Sequence, residues 1–391
     1  MRKICFLTDS FFTIGGVQRV TAVIAKQLSM YYDVTIISFD NPQMIDTTLF
    51  GLDGYNLHYD FISYSAPNKI KYFFRKAYSY LYKLLMPNCI IASDLYAYSS
   101  FPSEYRASLL GKLNKGKYDI IIGVHAPLAS RLATLKKDLA RNTKLIGWIH
   151  NSFEALFSDT SYYIGAERKR HYVYQFRKLD HVVLLCNHDA ETYHDYDPEF
   201  KPTVIYNPLT LKPGERSHGD SKRFLAVGRF SHRHKGFDLL IKAFHLFAQK
   251  NSEWALDIVG EGVEEKMYRE LIDEYQLGSR VTIHPFTNHI QDYYSKAQVY
   301  VLSSRWEGFG LVLVEAMAHG LPVVSSDLPT SQEIMGDFGL YYKNGDINEL
   351  AQRLEDVTQI DWAAKSEEAI KISQRFDVNH IMMQWKQLIE S

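Results

Sequence analysis

Two glutamates eight residues apart, Glu307 and Glu315, lie in the stretch Ser303–Val324, which reads as strand end, glycine-flanked loop and helix. Glu307 stands in the loop, as Glu307-Gly308-Phe309-Gly310, and Glu315 stands a turn into the helix. Gly308 and Gly310 permit close backbone approach, and a helix start presents N–H groups that suit a phosphate. Both carboxylates can reach a ligand lying across that helix start. Carboxylates there suit the hydroxyls of a sugar or a ribose, which are donors. Taken singly, Glu307 reads equally as a helix cap and Glu315 as a solvated helix residue; the string as a whole points to a ligand.

A second constellation precedes it. Val227–Asp238 reads Val-Gly-Arg-Phe-Ser-His-Arg-His-Lys-Gly-Phe-Asp, with Arg229 leaving a strand and Lys235-Gly236 opening a helix. Two cations in such places fit the neutralisation of a diphosphate, which Arg can grip with a planar fork. The plainer alternative is a solvated basic turn, since His232, Arg233 and His234 lie between them. The carboxylate string downstream favours the diphosphate.

These groups need a scaffold. Short apolar runs at Ile4–Leu7, Val34–Phe39, Ile120–Val124, Leu145–Ile149, Val182–Leu185 and Thr203–Tyr206 alternate with helical patterns, which argues for a parallel sheet with crossover helices. Asn207-Pro208 and the polar run Lys212–Lys222 read as a linker. A second alternation follows, with strands at Phe224–Val227, Ala255–Val259, Val281–Ile283, Val299–Leu302 and Pro322–Ser325. The predicted fold class is therefore α/β, two Rossmann-like doubly wound domains, with ligand expected in the crevice outside the carboxyl ends of the strands. The expected boundaries are 1–207 and 208–375.

Composition fits this frame. A chain of 391 residues suits two cores, and 46% hydrophobic with 23% charged residues excludes wholesale disorder. Cys5, Cys89 and Cys186 are widely spaced without a CxxC pair, so neither a disulfide framework nor a zinc site is expected, and a cytoplasmic location is. No run of 18 apolar residues occurs, so no membrane span is expected. The net charge of -1 conceals a split, with 24 basic against 19 acidic residues through Pro208 and 20 against 26 beyond it.

The ordered combination of Gly228-Arg229, Lys235-Gly236, Val259-Gly260-Glu261-Gly262 and Glu307-Gly308-Phe309-Gly310 with Glu315 resembles the retaining glycosyltransferases of family 4. That resemblance implies the GT-B fold, two Rossmann-like domains facing a central cleft, with a C-terminal helix (about 376–391) packed back on the first domain. It implies that Arg229 and Lys235 bind the donor diphosphate, that Glu307 holds hydroxyls of the transferred sugar, and that Glu315 holds the nucleotide ribose. Backbone amides of Phe309 and Gly310 would touch sugar and phosphate. Gly15-Gly16 after the first strand resembles the family's glycine loop, and His150 resembles the histidine found near the reacting sugar. Asn207 would mark the hinge. The implied chemistry is metal-independent and needs no cofactor. A hexose moves with retention from a nucleotide diphosphate, UDP by base rate, to a saccharide or polyprenyl-linked saccharide in cell-surface polysaccharide synthesis. Two rivals use the same fold: a non-catalytic glycan-binding or assembly partner, and a sugar-nucleotide epimerase or hydrolase.

One segment stands apart from this chemistry. Between Asp60 and Asp94 no acidic residue occurs, whereas Lys69, Lys71, Arg75, Lys76 and Lys83 do. Apolar and aromatic residues at 70, 73, 74, 77, 81, 84 and 85 share one helical stripe. Such a helix suits either an anionic membrane interface or a stripe packed on the first sheet with its cations in water. The cluster Arg168-Lys169-Arg170-His171 with Arg177-Lys178 could extend a membrane-facing surface. Nucleic acid is not expected as a partner, because the overall charge is balanced and no nucleic-acid module is present.

Overall fold

The computed structural model describes residues 1–63, 68–140, 142–231 and 233–391. Its contacts divide the chain into two compact units, Met1–Tyr206 with Met382–Ser391, and Asn207–Ile381.

The first unit is built on seven strands: β1 (Lys3–Leu7), β2 (Asp33–Ser38), β3 (Leu57–Phe61), β4 (Ile120–Val124), β5 (Lys144–Trp148), β6 (His181–Leu184) and β7 (Thr203–Val204). They pair in the order β3-β2-β1-β4-β5-β6-β7, every neighbour parallel. Its helices are α1 (Gly16–Leu28), α2 (Lys69–Leu85), α3 (Ile90–Ser100), α4 (Ser103–Gly116), α5 (Ala126–Leu135), α6 (Phe153–Phe157), α7 (Lys169–Phe176) and α8 (Asn187–Tyr196). The central strands β1, β4 and β5 are near-continuous apolar runs because helices cover both faces of the sheet. Gly123 of β4 and Gly147 of β5 lie side by side, and a side chain at either would run into Ala129 of α5. Their absence of side chains is what lets α5 press against the sheet.

The second unit has six parallel strands: β8 (Arg223–Val227), β9 (Ala255–Val259), β10 (Val281–His284), β11 (Val299–Leu302), β12 (Val323–Ser326) and β13 (Leu340–Tyr342). Their order is β10-β9-β8-β11-β12-β13. The helices are α9 (Phe237–Ala248), α10 (Glu265–Glu274), α11 (Gln291–Lys296), α12 (Leu311–Ala318), α13 (Pro329–Met335), α14 (Ile347–Asp356) and α15 (Trp362–Ser373). Two doubly wound parallel sheets were expected and are found. β3 and β13 were not anticipated. Each is an edge strand, and their partly exposed residues lack the apolar run that marked the others.

The polar run read as a linker is packed into the second unit. Ser217 is buried, its N–H donates to the His319 carbonyl at 3.0 Å, and Gly219 lies against the Trp362 ring. The last helix, α16 (Val378–Glu390), contributes its residues from Met382 onward to the first unit. There the buried Trp385 meets Trp148 edge-on at 4.9 Å, Arg2 donates to the Ile389 carbonyl at 3.0 Å, and the Tyr32 hydroxyl donates to Glu390 at 3.1 Å. Phe376, just ahead of α16, instead packs on Phe309 in the second unit.

In each sheet the chain reverses direction once, between β1 and β4 and between β8 and β11. Loops leaving the carboxyl ends of such strands diverge and leave room for a ligand. The first junction is where Gly15-Gly16 follows β1, and the second is where Arg229 follows β8 and Glu307 follows β11. Truncating the fully buried Trp385 to Ala should cost the first unit about 3–5 kcal/mol. Urea denaturation of Trp385→Ala should show an earlier transition for that unit, while the transition of the second unit stays in place.

Candidate active site

In the second unit, two loops from neighbouring strands are joined along their length. The loop after β8 meets the loop after β11 through Arg305 N–H to the His234 carbonyl at 2.8 Å and the Ser303 hydroxyl to the Lys235 carbonyl at 2.7 Å. The His234 ring stacks on Trp306 at 4.8 Å, with its Nε2 2.6 Å from the Trp306 carbonyl. Gly236 is the tight point. Its φ is 63°, and an added Cβ would lie 2.0 Å from the Ser303 carbonyl oxygen, so only glycine fits. Below the loops, Arg305 grips Asp238 with two bonds of 2.8 Å.

This clamp brings Lys235 to Glu307. Lys235 Nζ lies 2.6 Å from Glu307 Oε1, the Ser304 hydroxyl donates to the same oxygen at 2.5 Å, and His234 Nε2 stands 3.8 Å away. Glu307 is 8% exposed. Burial alone would raise its pKa, but Lys235, His234 and the Ser304 bond outweigh burial and hold it below the usual carboxylate range. Glu307 is thus an ionised acceptor. Its other oxygen, Oε2, accepts no hydrogen bond among the described residues.

Glu315, on α12, is also buried rather than a solvated helix residue. The Tyr294 hydroxyl donates to its Oε2 at 3.0 Å and the Thr210 hydroxyl to its Oε1 at 3.4 Å. His319, one turn on, donates from Nδ1 to the Glu315 carbonyl at 2.7 Å and accepts the Gly214 N–H on Nε2 at 3.3 Å. These two bonds fix its tautomer. The helix begins at Leu311, and Gly310 before it supplies no side-chain cap to its first N–H groups. Gly308 is half-buried in the loop ahead of it, and Phe309 is buried against Phe376. Arg229 stands exposed beyond β8, and His232 lies outside the described residues. The structure therefore gathers Lys235, Glu307 and His234 into one cluster, with Glu315 in a separate hydrogen-bonded pocket on α12.

In the first unit, Gly15 caps α1 and Gly16 is its first residue, again without a side-chain cap or an acidic first turn. The loop before it is tied by Asp40, which accepts the N–H groups of Phe11 at 2.6 Å and Phe12 at 3.2 Å and the Ser10 hydroxyl at 2.7 Å. His150, two residues past β5, is buried with its ring 4.3 Å from Trp148 and 5.4 Å from His125. Its Nε2 is buried without a hydrogen-bond partner among the described residues. Burial and the neighbouring His125 push its pKa well below the ordinary histidine value, so the ring is neutral. Asn207 is buried at the start of the second unit with its Oδ1 likewise unpartnered.

His125 was not anticipated. It is the one residue between β4 and α5, and the abrupt turn forces it to φ 75°, ψ 152°, a region used almost only by glycine. Its N–H donates to the Trp148 carbonyl at 2.8 Å, and its ring bonds the Asn151 side chain. A sequence cue exists: Pro127 so soon after a buried strand leaves no room for a loop. Tyr294, Thr210, Ser304 and His319 carried no spacing signal and emerge only from packing.

Two family models together match residues 14–375. That described as Glycosyltransferase Family 4 matches residues 14–212, and that described as Glycosyl transferases group 1 matches residues 210–375. The chain belongs to glycosyltransferase family 4. Among curated relatives, an uncharacterized glycosyltransferase of Haemophilus influenzae is 26% identical with all of both chains covered. The amylovoran biosynthesis glycosyltransferase AmsD of Erwinia amylovora is 27% identical over 90% of this chain and 88% of its own. Among solved structures, HepE of Anabaena in complex with UDP and glucose superposes with a TM-score of 0.76 at 20% identity, covering all of both chains. That likeness establishes the GT-B fold for this family 4 chain.

Two outcomes follow from the histidines. Burial holds His125 down to about 4 and His171, bonded to Ser93 at 2.7 Å, down to about 3, while His150 is also depressed. An unfolded chain takes up these protons near pH 6.5 and the folded one only lower, so stability is full above about 6.5 and falls as pH drops below it. Asp189 acts oppositely: burial raises it to about 7, so its contribution is lost as pH rises from about 4 toward 7. His181 and His319 are depressed as well and Asp9 is raised like Asp189, and these five histidines against two carboxylates leave a net loss on acidification. Thermal unfolding across this range should show it, and His171→Gln should reduce the slope by about one proton. The strain at residue 125 inverts the usual order of small residues: His125→Gly should melt higher than His125→Ala, by about 1 kcal/mol.

Proposed function

We propose that this glycosyltransferase moves a hexose from a UDP-linked donor, with retention and without a metal ion, to a saccharide or lipid-linked saccharide in cell-surface polysaccharide synthesis. The observation that carries the reading is the buried Lys235–Glu307 pair beside the uncapped start of α12. An ammonium group has three donors. One meets Glu307, and the others can serve a phosphate oxygen together with the exposed Arg229 and the α12 N–H groups. Glu307, ionised and with Oε2 unengaged by protein, would accept hydroxyls of the transferred sugar. Glu315 would receive the ribose diol, joining or displacing Tyr294 and Thr210. HepE, which holds UDP and glucose, and AmsD, named for amylovoran biosynthesis, support the donor and the pathway class.

In this mechanism the acceptor hydroxyl attacks the anomeric carbon on the face from which the nucleotide leaves. The bond from that carbon to the phosphate oxygen breaks, and the departing phosphate takes the acceptor proton. Lys235, Arg229 and the helix start stabilise the charge that develops on the leaving diphosphate. Glu307 is an orienting acceptor here, since its pairing with Lys235 makes it a poor nucleophile. On the first unit, His150 is a neutral hydrogen-bonding group, and Gly15-Gly16 opens a helix without a side-chain cap.

Thermal-shift measurements without added metal should show selective stabilisation by UDP over GDP and ADP. Stabilisation by none of them, in folded protein, would overturn the donor site. Glu307→Gln should lower transfer at least about 100-fold while UDP still stabilises the fold. Lys235→Ala strands a buried carboxylate, so it should lose about 3 kcal/mol of stability as well as UDP affinity. The double variant Lys235→Met, Glu307→Gln should recover much of that stability but none of the activity. Wild-type turnover in the presence of EDTA is the expected result, and its loss would remove metal independence from the reading.

A further inference from the structure

Helix α2 is amphipathic, and its apolar face is not the one that meets the protein. Arg75, Tyr78 and Tyr82 form the contact face: Arg75 Nε donates to the Ser99 carbonyl at 2.6 Å, and the buried Tyr82 stacks on Tyr96 of α3 at 4.3 Å. The stripe beside it is Ile70, Phe73, Phe74, Leu81, Leu84 and Leu85, with exposures from 46% to 69%. Packing of this stripe on the first sheet, the alternative left open by the sequence, does not occur. On α3, Ile91, Leu95 and Tyr98 recur at helical spacing and are also exposed, Ile91 at 91%. Exposed apolar residues in such number on neighbouring helices mark a surface that something covers.

Charge identifies what covers it. Lys69, Lys76 and Lys83 recur every seven residues, so they line one edge of the apolar stripe with about 10 Å between successive ones. Lys71 lies toward the other edge. Partial burial and the nearby Arg168 and Lys76 lower the Lys83 pKa, with Glu167 opposing, which places Arg168 of the second basic cluster within the same field. Helix α2 itself contains no carboxylate. Two copies meeting face to face would set cations against cations. No helix among the described residues is long and apolar enough to cross a membrane. An apolar stripe edged by lysines, with Tyr72 and Tyr80 exposed beside it, instead has the form of a helix lying along an interface.

We propose that α2, with the exposed edge of α3, lies flat in the headgroup region of an anionic lipid bilayer. Its cations would meet lipid phosphates and its phenylalanines and leucines would enter the acyl boundary. This surface claim stands apart from the donor chemistry, so either can fail alone. The test is flotation of the whole protein with phosphatidylcholine vesicles, with and without phosphatidylglycerol. Binding is expected only with the anionic lipid and should weaken as salt is raised. Lys69→Glu, Lys76→Glu, Lys83→Glu together should weaken it about tenfold or more. Phe73→Asp with Phe74→Asp should weaken it even at high salt. Lys69, Phe73, Phe74 and Lys76 are exposed and Lys83 is half-buried, and unchanged thermal unfolding with unchanged UDP stabilisation would confirm that the variants fold. Absence of binding, or equal binding to neutral vesicles, would overturn the proposal. So would a dimer in sedimentation equilibrium that Phe73→Asp with Phe74→Asp abolishes, since that would assign the face to a second copy.

Discussion

Taking a carboxylate out of water costs several kcal/mol unless a cation and hydrogen-bond donors replace the lost solvent. In the second unit that requirement falls on Glu307, and the surrounding loops meet it. Lys235 and Ser304 supply the donors, and they reach Glu307 because the loops after β8 and β11 are joined by backbone bonds and by the His234–Trp306 stack. That closeness depends in turn on Gly236, where any side chain would meet the Ser303 carbonyl. The Arg305–Asp238 fork anchors the same loops at their base. The charge pair and the loop geometry are therefore one requirement: loosen the loops and the pair is stranded, or remove the pair and the loops lose what they enclose.

The first unit meets a different constraint, that of keeping buried imidazoles neutral, His125 and His150 among them. His150 is buried against Trp148, and Trp148 is held from behind by Trp385. His125 is fixed by a turn so short that its backbone is strained, and it carries Asn151 on its ring. A neutral histidine among aromatic rings can give or take a hydrogen bond without bringing a charge.

Much of this was legible in the residues. The apolar strands and the Glu307 loop were placed within a residue or two, because buried parallel strands and glycine-flanked turns leave local marks. β3 and β13 were not legible, since an edge strand such as Leu57–Phe61 mixes polar with apolar residues. The glutamates were visible as a pair, yet their partners were not. Lys235 is 72 positions from Glu307, and Thr210 is 105 from Glu315. No local pattern encodes contacts at that range. The stripe on α2 showed the opposite limit: its periodicity was plain, but whether it faced the sheet or the outside depended on Tyr82 and Arg75 turning inward.

The tail that supports Trp148 also sets a schedule. The first unit needs residues 382–391, which follow its other residues by the whole of the second unit, some 175 positions later in the chain. At about 5–20 residues per second of synthesis, that interval is roughly ten seconds or more. During it the nascent first sheet has Trp148 uncovered, and His150 lacks the wall behind the ring it leans on. The second unit, continuous in sequence, can close while still near the ribosome. The second unit can thus be complete before the first, and residues 382–391 finish the first fold to be started.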